Sequence, residues 1–272
     1  LLMAEGPTAP QLIEHLKTQA PAGAKVDIEE ITAEHEVISV HGPYAWELIG
    51  ELLGPDLIGL PYLYFYRTDD MLCLRGGKTG EYGYDLFLPK ARSAELRVRL
   101  EEQGKPFDLA RVGLGSLAQC GLENGFFDVR REGRRGLSPI ELGLQWRVSY
   151  NKEYVGSEAL RAQRSAGVRR RATYVIAADP VNDGDDVWLE DSRIGEILAA
   201  GFSPTLGSHV GLALLDRPYF HAGIDAFTAA KEGARRVKLA TVSPPVVNNR
   251  SLYINAAPRL RDPRARHLPV HQ

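Results

Sequence analysis

Between Ala172 and Val242 the chain falls into short apolar runs, Ala172–Ala177, Asp186–Glu190, Arg193–Ala199, Val210–Leu215 and Val237–Val242, with turn-forming residues between them. Runs of about four to eight residues, rich in β-branched and aromatic side chains and bounded by Gly, Pro, Asn or Asp, read as strands. Their close spacing makes a small β-barrel or sandwich the economical way to bury all their apolar positions at once.

The residues before this region read differently. Pro10 to Gln19 places Leu12, Ile13 and Leu16 at helical spacing, Lys25 to Ile31 alternates imperfectly as a half-buried strand would, and Glu36 to Val40 reads as a short strand. Pro43 suits the first helical position of a helix over Tyr44 to Leu53, where its missing N–H is not needed. Tyr62 to Arg67 and Met71 to Arg75 flank Thr68-Asp69-Asp70 as a hairpin, and Gly83 to Leu88 is a further strand stopped by Pro89. Ser93 to Glu102 is a charged helix that stops at Gly104.

Strands joined by short turns with interleaved helices predict an α+β layer, antiparallel sheets with helices packed on them, rather than a parallel doubly wound sheet. The composition changes over Arg164 to Arg171. We therefore divide the chain into an α+β domain over 1–167, a C-terminal β-barrel over 168–254, and an irregular tail over 255–272 rich in Pro, Arg and His.

At 44% hydrophobic and 25% charged residues a packed globular fold is expected, and a net charge of −2 gives no global field for nucleic acid. The two cysteines, Cys73 and Cys120, lie far apart and encode neither a disulfide scaffold nor a metal site. No histidine pair stands at metal-ligand spacing, and no Gly-x-Ser-x-Gly or phosphate loop occurs. No apolar run of about 18 residues is present, so no membrane span and a cytoplasmic location are the expectation.

Two segments carry chemistry. Thr79-Gly80-Glu81-Tyr82-Gly83-Tyr84-Asp85 leads a glycine-punctuated turn into an alternating strand with Asp85 between Tyr84 and Leu86. Gly113 to Trp146 contains Gly121-Leu122-Glu123-Asn124-Gly125 and Ser138-Pro139-Ile140-Glu141-Leu142-Gly143-Leu144-Gln145-Trp146. In the latter, a Ser cap, Pro at the first helical position and Glu141 three residues after the cap form a capping box that local physics alone explains. Read on their own, Asp85 is a strand carboxylate facing solvent or pairing with Lys78 or Lys90, Glu81 a turn residue, Glu123 a structural bridge, and Trp146 a residue that closes the core.

In order and spacing these segments resemble the glycine-cleavage T-protein (aminomethyltransferase) family, as do Tyr154-Val155-Gly156-Ser157-Glu158-Ala159-Leu160 and Gly201-Phe202-Ser203-Pro204-Thr205-Leu206-Gly207. The likeness runs from about residue 8 to about residue 247. It implies the T-protein folate-binding fold, tetrahydrofolate as cofactor, and an enzyme that transfers one-carbon groups. It places Asp85 where the family's Glu grips the pterin, one methylene shorter, and Glu81 at the first acid of the same motif. It sets Tyr84, Glu123 and Trp146 among the folate contacts. Arg250, in the C-terminal end where the chain departs from the family, is a candidate to reach the folate tail or a substrate carboxylate, an exposed arginine without function being the favoured alternative. Where the family's helix presents an Arg to the folate, this chain has Gly121.

The altered arginine position and the unusual end, Val242 to Arg250, favour a relative that moves a methyl group from a small O-, N- or S-methyl donor to tetrahydrofolate. The alternatives are the aminomethyltransferase of glycine cleavage, whose partner is a lipoyl carrier protein, and a non-catalytic folate-binding protein on the same scaffold. The loop from Phe126 to Gly136 lacks the cysteine of the family's iron–sulfur maturation relatives, which argues against them. By this resemblance Leu1 corresponds to a point inside the family's first domain, so its N-terminal part is expected to be missing and the catalytic residues stay unassigned.

Overall fold

A computed structural model describes residues 1–230 and 236–253. The predicted tail over 255–272 lies outside the described residues. The described residues form two compact units, one of 1–113 with 248–253 and one within 114–247.

The first unit is built on a sheet of order β1-β4-β3-β2, all pairs antiparallel, from β1 (His35–His41), β2 (Phe65–Arg67), β3 (Leu72–Arg75) and β4 (Gly83–Pro89). Alternation puts Tyr84, Leu86 and Leu88 of β4 on one face, where they join Val40, Cys73 and the apolar side of α2 (Ala45–Leu53) in a core. α3 (Lys90–Gly104) adds Ser93, Leu96, Leu100 and Gly104, a stripe at helical spacing. Its many charges face outward, which is why a helix so polar on average still packs. α1 (Ala9–Gln19) begins with a Thr8 capping box and buries no residue.

Two expectations need correction here. Lys25 to Ile31 forms no strand; Glu30 breaks the apolar alternation of Val26 and Ile28, and Val26 is exposed, with no strand pairing this segment among the described residues. The predicted strand from Tyr62 begins only at Phe65, because Leu63 adopts a left-handed φ of 67° that interrupts the extended backbone.

The second unit starts with α4 (Leu114–Asn124) and α5 (Ser157–Ala166) and continues into a closed barrel. Its strands are β5 (Arg170–Ala177), β6 (Asp186–Leu189), β7 (Ser192–Ser203), β8 (Ser208–Asp216), β9 (Phe227–Ala230) and β10 (Val237–Val242), ordered β10-β5-β8-β7-β6-β9. The fold class is as expected, mixed helices and antiparallel sheets with a small barrel; the short strand β9 was not foreseen. Val175, Val187, Ile197, Ala213, Leu215, Phe227 and Leu239 fill the interior. On the outside, Leu122 of α4 packs with Leu198, Val210, Leu212 and Leu214. β8 is thus covered on both faces, which explains why Val210 to Leu215 is an unbroken apolar run rather than an alternating one. A register shift in β7 between Ile197 and Ala199 lets both Leu198 and Ala199 join this outer cluster while Ile197 stays in the interior. Gly201 leaves room for the end of the Gln119 side chain of α4, whose Oε1 would lie 2.0 Å from a Cβ there.

The Ser138 segment makes a single turn instead of a helix. The capping box forms as predicted, Ser138 N–H donating to Glu141 Oε2 at 3.0 Å and Glu141 N–H to Ser138 Oγ at 3.2 Å, but Gly143 at φ 74° ends the turn at once.

Removing the buried side chain of Leu215 by Leu215→Ala is expected to destabilise the barrel by about 2–5 kcal/mol, whereas Val98→Ala on the exposed side of α3 stays within about 0.5 kcal/mol. Urea unfolding followed by circular dichroism measures both.

Candidate functional site

The face of the first unit's sheet that is turned away from its core carries one carboxylate among largely apolar groups, with Arg67 at its β2 edge and His35 stacked on Phe87. Across the strands the register sets Phe65, Leu74, Asp85 and Ser39 in one row, and Arg67, Leu72, Phe87 and Val37 in the next. Phe65 is 62% exposed, Val37 is exposed as well, and Leu72, Leu74, Asp85 and Phe87 are half-buried. The Ser39 hydroxyl donates to Asp85 Oδ1 at 2.6 Å. Lys78, a sequence-level candidate for pairing with Asp85, instead binds Glu5 at 2.6 Å.

His41 lies opposite Gly83 at the end of β1 nearest this row. Gly83 must be glycine, since a Cβ would fall 2.1 Å from Gly76 O and 2.7 Å from His41 Nδ1. The glycine-punctuated turn therefore closes over the imidazole, and Nδ1 is buried without a hydrogen-bond partner among the described residues. Burial lowers the His41 pKa below 6.5, against a weaker upward pull from the Asp85 carboxylate. On the core side, burial pushes the Cys73 thiol up to about 12, the Asp85 charge adding to it. Burial likewise raises the Tyr84 phenol to about 12.

The other sequence candidates fall as follows. Tyr84 is 1% exposed on the core face of β4, so its ring packs in the core while Asp85 faces the other way. Both carboxylate oxygens of Glu81 accept backbone N–H groups, Arg250 at 2.7 Å and Ser251 at 2.8 Å, tying the β3–β4 turn to the 3-10 turn Arg250–Leu252. The Arg250 residue is exposed. In the second unit, Glu123 is 6% exposed in α4, and its Oε1 accepts from Gln119 Nε2 at 3.4 Å. Gly121 is on the same helix's buried side.

Trp146, read as closing the core or lining a pocket, is 70% exposed, with the Arg147 guanidinium 4.4 Å from its ring centre. It lines a cavity of about 440 Å³ together with Phe127, Arg171, Thr173 and Phe220. Thr173 is 7% exposed, and its hydroxyl has no partner among the described residues. Arg171 donates to Phe220 O at 2.8 Å and its guanidinium lies 4.6 Å from the Phe220 ring centre.

Sequence reasoning missed Ser39 and His41. The available signal was the alternation of β1, which puts both on one face, but pairing Ser39 with Asp85 needs the register.

Residues 1–152 match the profile described as the GCVT N-terminal domain, and residues 169–248 match the glycine cleavage T-protein C-terminal barrel domain, which spans β5 to β10. The chain belongs to the glycine cleavage T-protein family. It is 30% identical over 207 residues to an aminomethyltransferase of Caldanaerobacter subterraneus, covering 73% of this chain and 55% of that protein. It is 27% identical over 230 residues to an aminomethyltransferase of Listeria monocytogenes, covering 81% of this chain and 62% of that protein. This family member thus spans little more than half the length of these relatives. Its fold is similar to the crystal structure of the glycine cleavage system aminomethyltransferase T from Bartonella henselae, with a TM-score of 0.77 at 21% identity over 89% of this chain and 66% of that one.

The lowered His41 pKa fixes the sign of a pH effect. Between the folded value and the unfolded value of about 6.5 the unfolded chain binds more protons, so stability falls as pH drops through this window and levels off below the folded pKa. Unfolding curves from pH 7.5 to 4.5 are expected to show this loss in the wild type and a smaller one in His41→Gln.

Proposed function

We propose that this chain forms the folate-binding part of a tetrahydrofolate-dependent one-carbon transferase that accepts an aminomethyl group from a lipoyl carrier protein. The observation that carries the reading is the Asp85 carboxylate set in an apolar sheet face. A carboxylate accepts two parallel N–H bonds, the pattern offered by an aminopyrimidine edge, and such bonds strengthen where water is excluded.

In this reading tetrahydrofolate brings the nucleophilic nitrogen. The chain's residues bind and orient it. Asp85 takes the pterin edge, Leu74 and Phe87 flank the ring and keep water from it, and the exposed Arg250 is available to an anionic tail. Trp146 offers an aromatic wall in the cavity of its own unit. Glu81 contributes by ordering the turn that carries Arg250, Tyr84 by seating the strand that carries Asp85, and Glu123 by seating α4. Orientation of a bound nucleophile against its donor is the larger part of such catalysis.

The relatives' names favour an aminomethyl donor over the methyl donor preferred from sequence. Methyl transfer remains the second reading, favoured by Gly121 in the place of the family's Arg. Calorimetric titration of the chain with tetrahydrofolate tests the common part: Asp85→Ala is expected to weaken binding at least tenfold, since hydrogen bonds to a charged group are worth about 1.5–3 kcal/mol. Incubation with the aminomethylated carrier protein should yield methylenetetrahydrofolate, with release of ammonia and the carrier's free dihydrolipoyl thiol. Formation of methyltetrahydrofolate from methoxyarene, N-methyl or S-methyl donors instead would establish the second reading, and binding without either product would leave a non-catalytic folate-binding protein. Failure of the wild type to bind sinks the folate reading.

A further inference from the structure

We infer that Ser39 is a positioning residue for ligand recognition by Asp85, a role that rests on the folate reading above. The two residues are directly paired in the β1–β4 ladder, and the hydroxyl donates to Oδ1 at 2.6 Å, the short separation of a charge-assisted bond. On its other side Asp85 is paired with Leu74, and the next row holds Phe87 and Val37. None of these side chains has a donor.

An aspartate on an open sheet face has two torsions free to rotate, so a bidentate ligand would have to select one orientation of the carboxylate and bear the entropy of doing so. The bond from Ser39 selects it beforehand. It uses one of about four lone-pair directions on the carboxylate, so each oxygen keeps one for an incoming N–H. Ser39 itself is short, with a single torsion to heavy atoms, and it is anchored on a strand whose seven residues are paired to β4.

The arrangement also answers the length difference. A glutamate at position 85 reaches a methylene farther and can turn its carboxylate toward a ligand without help from the strand. The shorter aspartate stays close to the sheet, within reach of Ser39. The contributions of the two positions are therefore coupled: Ser39 matters while position 85 is Asp and loses its importance when it is Glu.

Titration of the full chain with tetrahydrofolate tests this in a double-mutant cycle. Ser39→Ala is expected to weaken binding about tenfold, the loss of one hydrogen bond to a charged group, and Ser39→Thr to restore it to within about threefold. In an Asp85→Glu background, Ser39→Ala should change affinity less than about twofold. A merely structural serine would give the same loss in both backgrounds. Ser39 is exposed, so the melting temperature should hold; if Ser39→Ala unfolds, Ser39→Cys keeps the volume with a weaker donor and carries the same comparison. Wild-type binding that survives Ser39→Ala within twofold overturns the role of Ser39 and leaves the folate reading standing. No binding by the wild type overturns both.

Discussion

The antiparallel pairing of β1 with β4 is the constraint on which the first unit and its site depend. Seven successive pairs, from His35 with Pro89 to His41 with Gly83, set which face of β4 meets α2 and α3. A slip of one residue would send Asp85 into the core and Tyr84, Leu86 and Leu88 into solvent, a cost that makes the register unique. The close packing of Gly83 against Gly76 O and His41 is a second lock on the same register. Asp85 therefore owes its place to the burial of its neighbours.

That burial also shapes the electrostatics around the site. His41 is driven toward its neutral form, and Cys73 and Tyr84 are held as thiol and phenol, in each case chiefly because the charged form would lose solvation. His41 and Cys73 also respond to the charge of Asp85, which sits at the boundary between core and open face, while Tyr84 feels the opposing charge of Arg75. A carboxylate bordered by neutral groups and apolar surface is a strong acceptor for a neutral or weakly basic donor pair.

The barrel obeys a different logic. Its strands are buried on both sides where α4 covers them, and elsewhere only within, so β8 reads as a continuous apolar run while β5 alternates Val175 and Ala177 inward with Tyr174 and Ile176 outward. Thr173 and Arg171 extend the inward-facing series of β5 to the cavity beside Trp146 and Phe220. There the polar Arg171 and Thr173 side chains meet aromatic and apolar walls. The arginines at 169–171 look in the sequence like a solvated boundary, yet Arg171 is used to brace an aromatic wall.

Much was determined by the sequence alone. Alternation and turn residues specify β4 and β5, an unbroken apolar run between turns specifies β8, helical spacing specifies α1, α2 and α3, and Ser138 with Glu141 specifies its own capping box, because each of these signals acts within a few residues. The order of the motifs led to the family, and the position of Asp85 after the glycine turn singled it out. Local pattern failed where the deciding partner was distant. Val26 to Ile31 had strand-like spacing and no strand to join among the described residues; Glu81 looked like a ligand contact and caps a turn 169 residues away; Trp146 lies exposed at a cavity whose walls include Arg171, Thr173 and Leu212 of the barrel. The Ser39–Asp85 bond spans 46 residues, so only the sheet register brings the hydroxyl to the carboxylate. Short-range propensity chooses the elements, and tertiary pairing, driven by the burial of the opposite face, decides which of their polar groups meet.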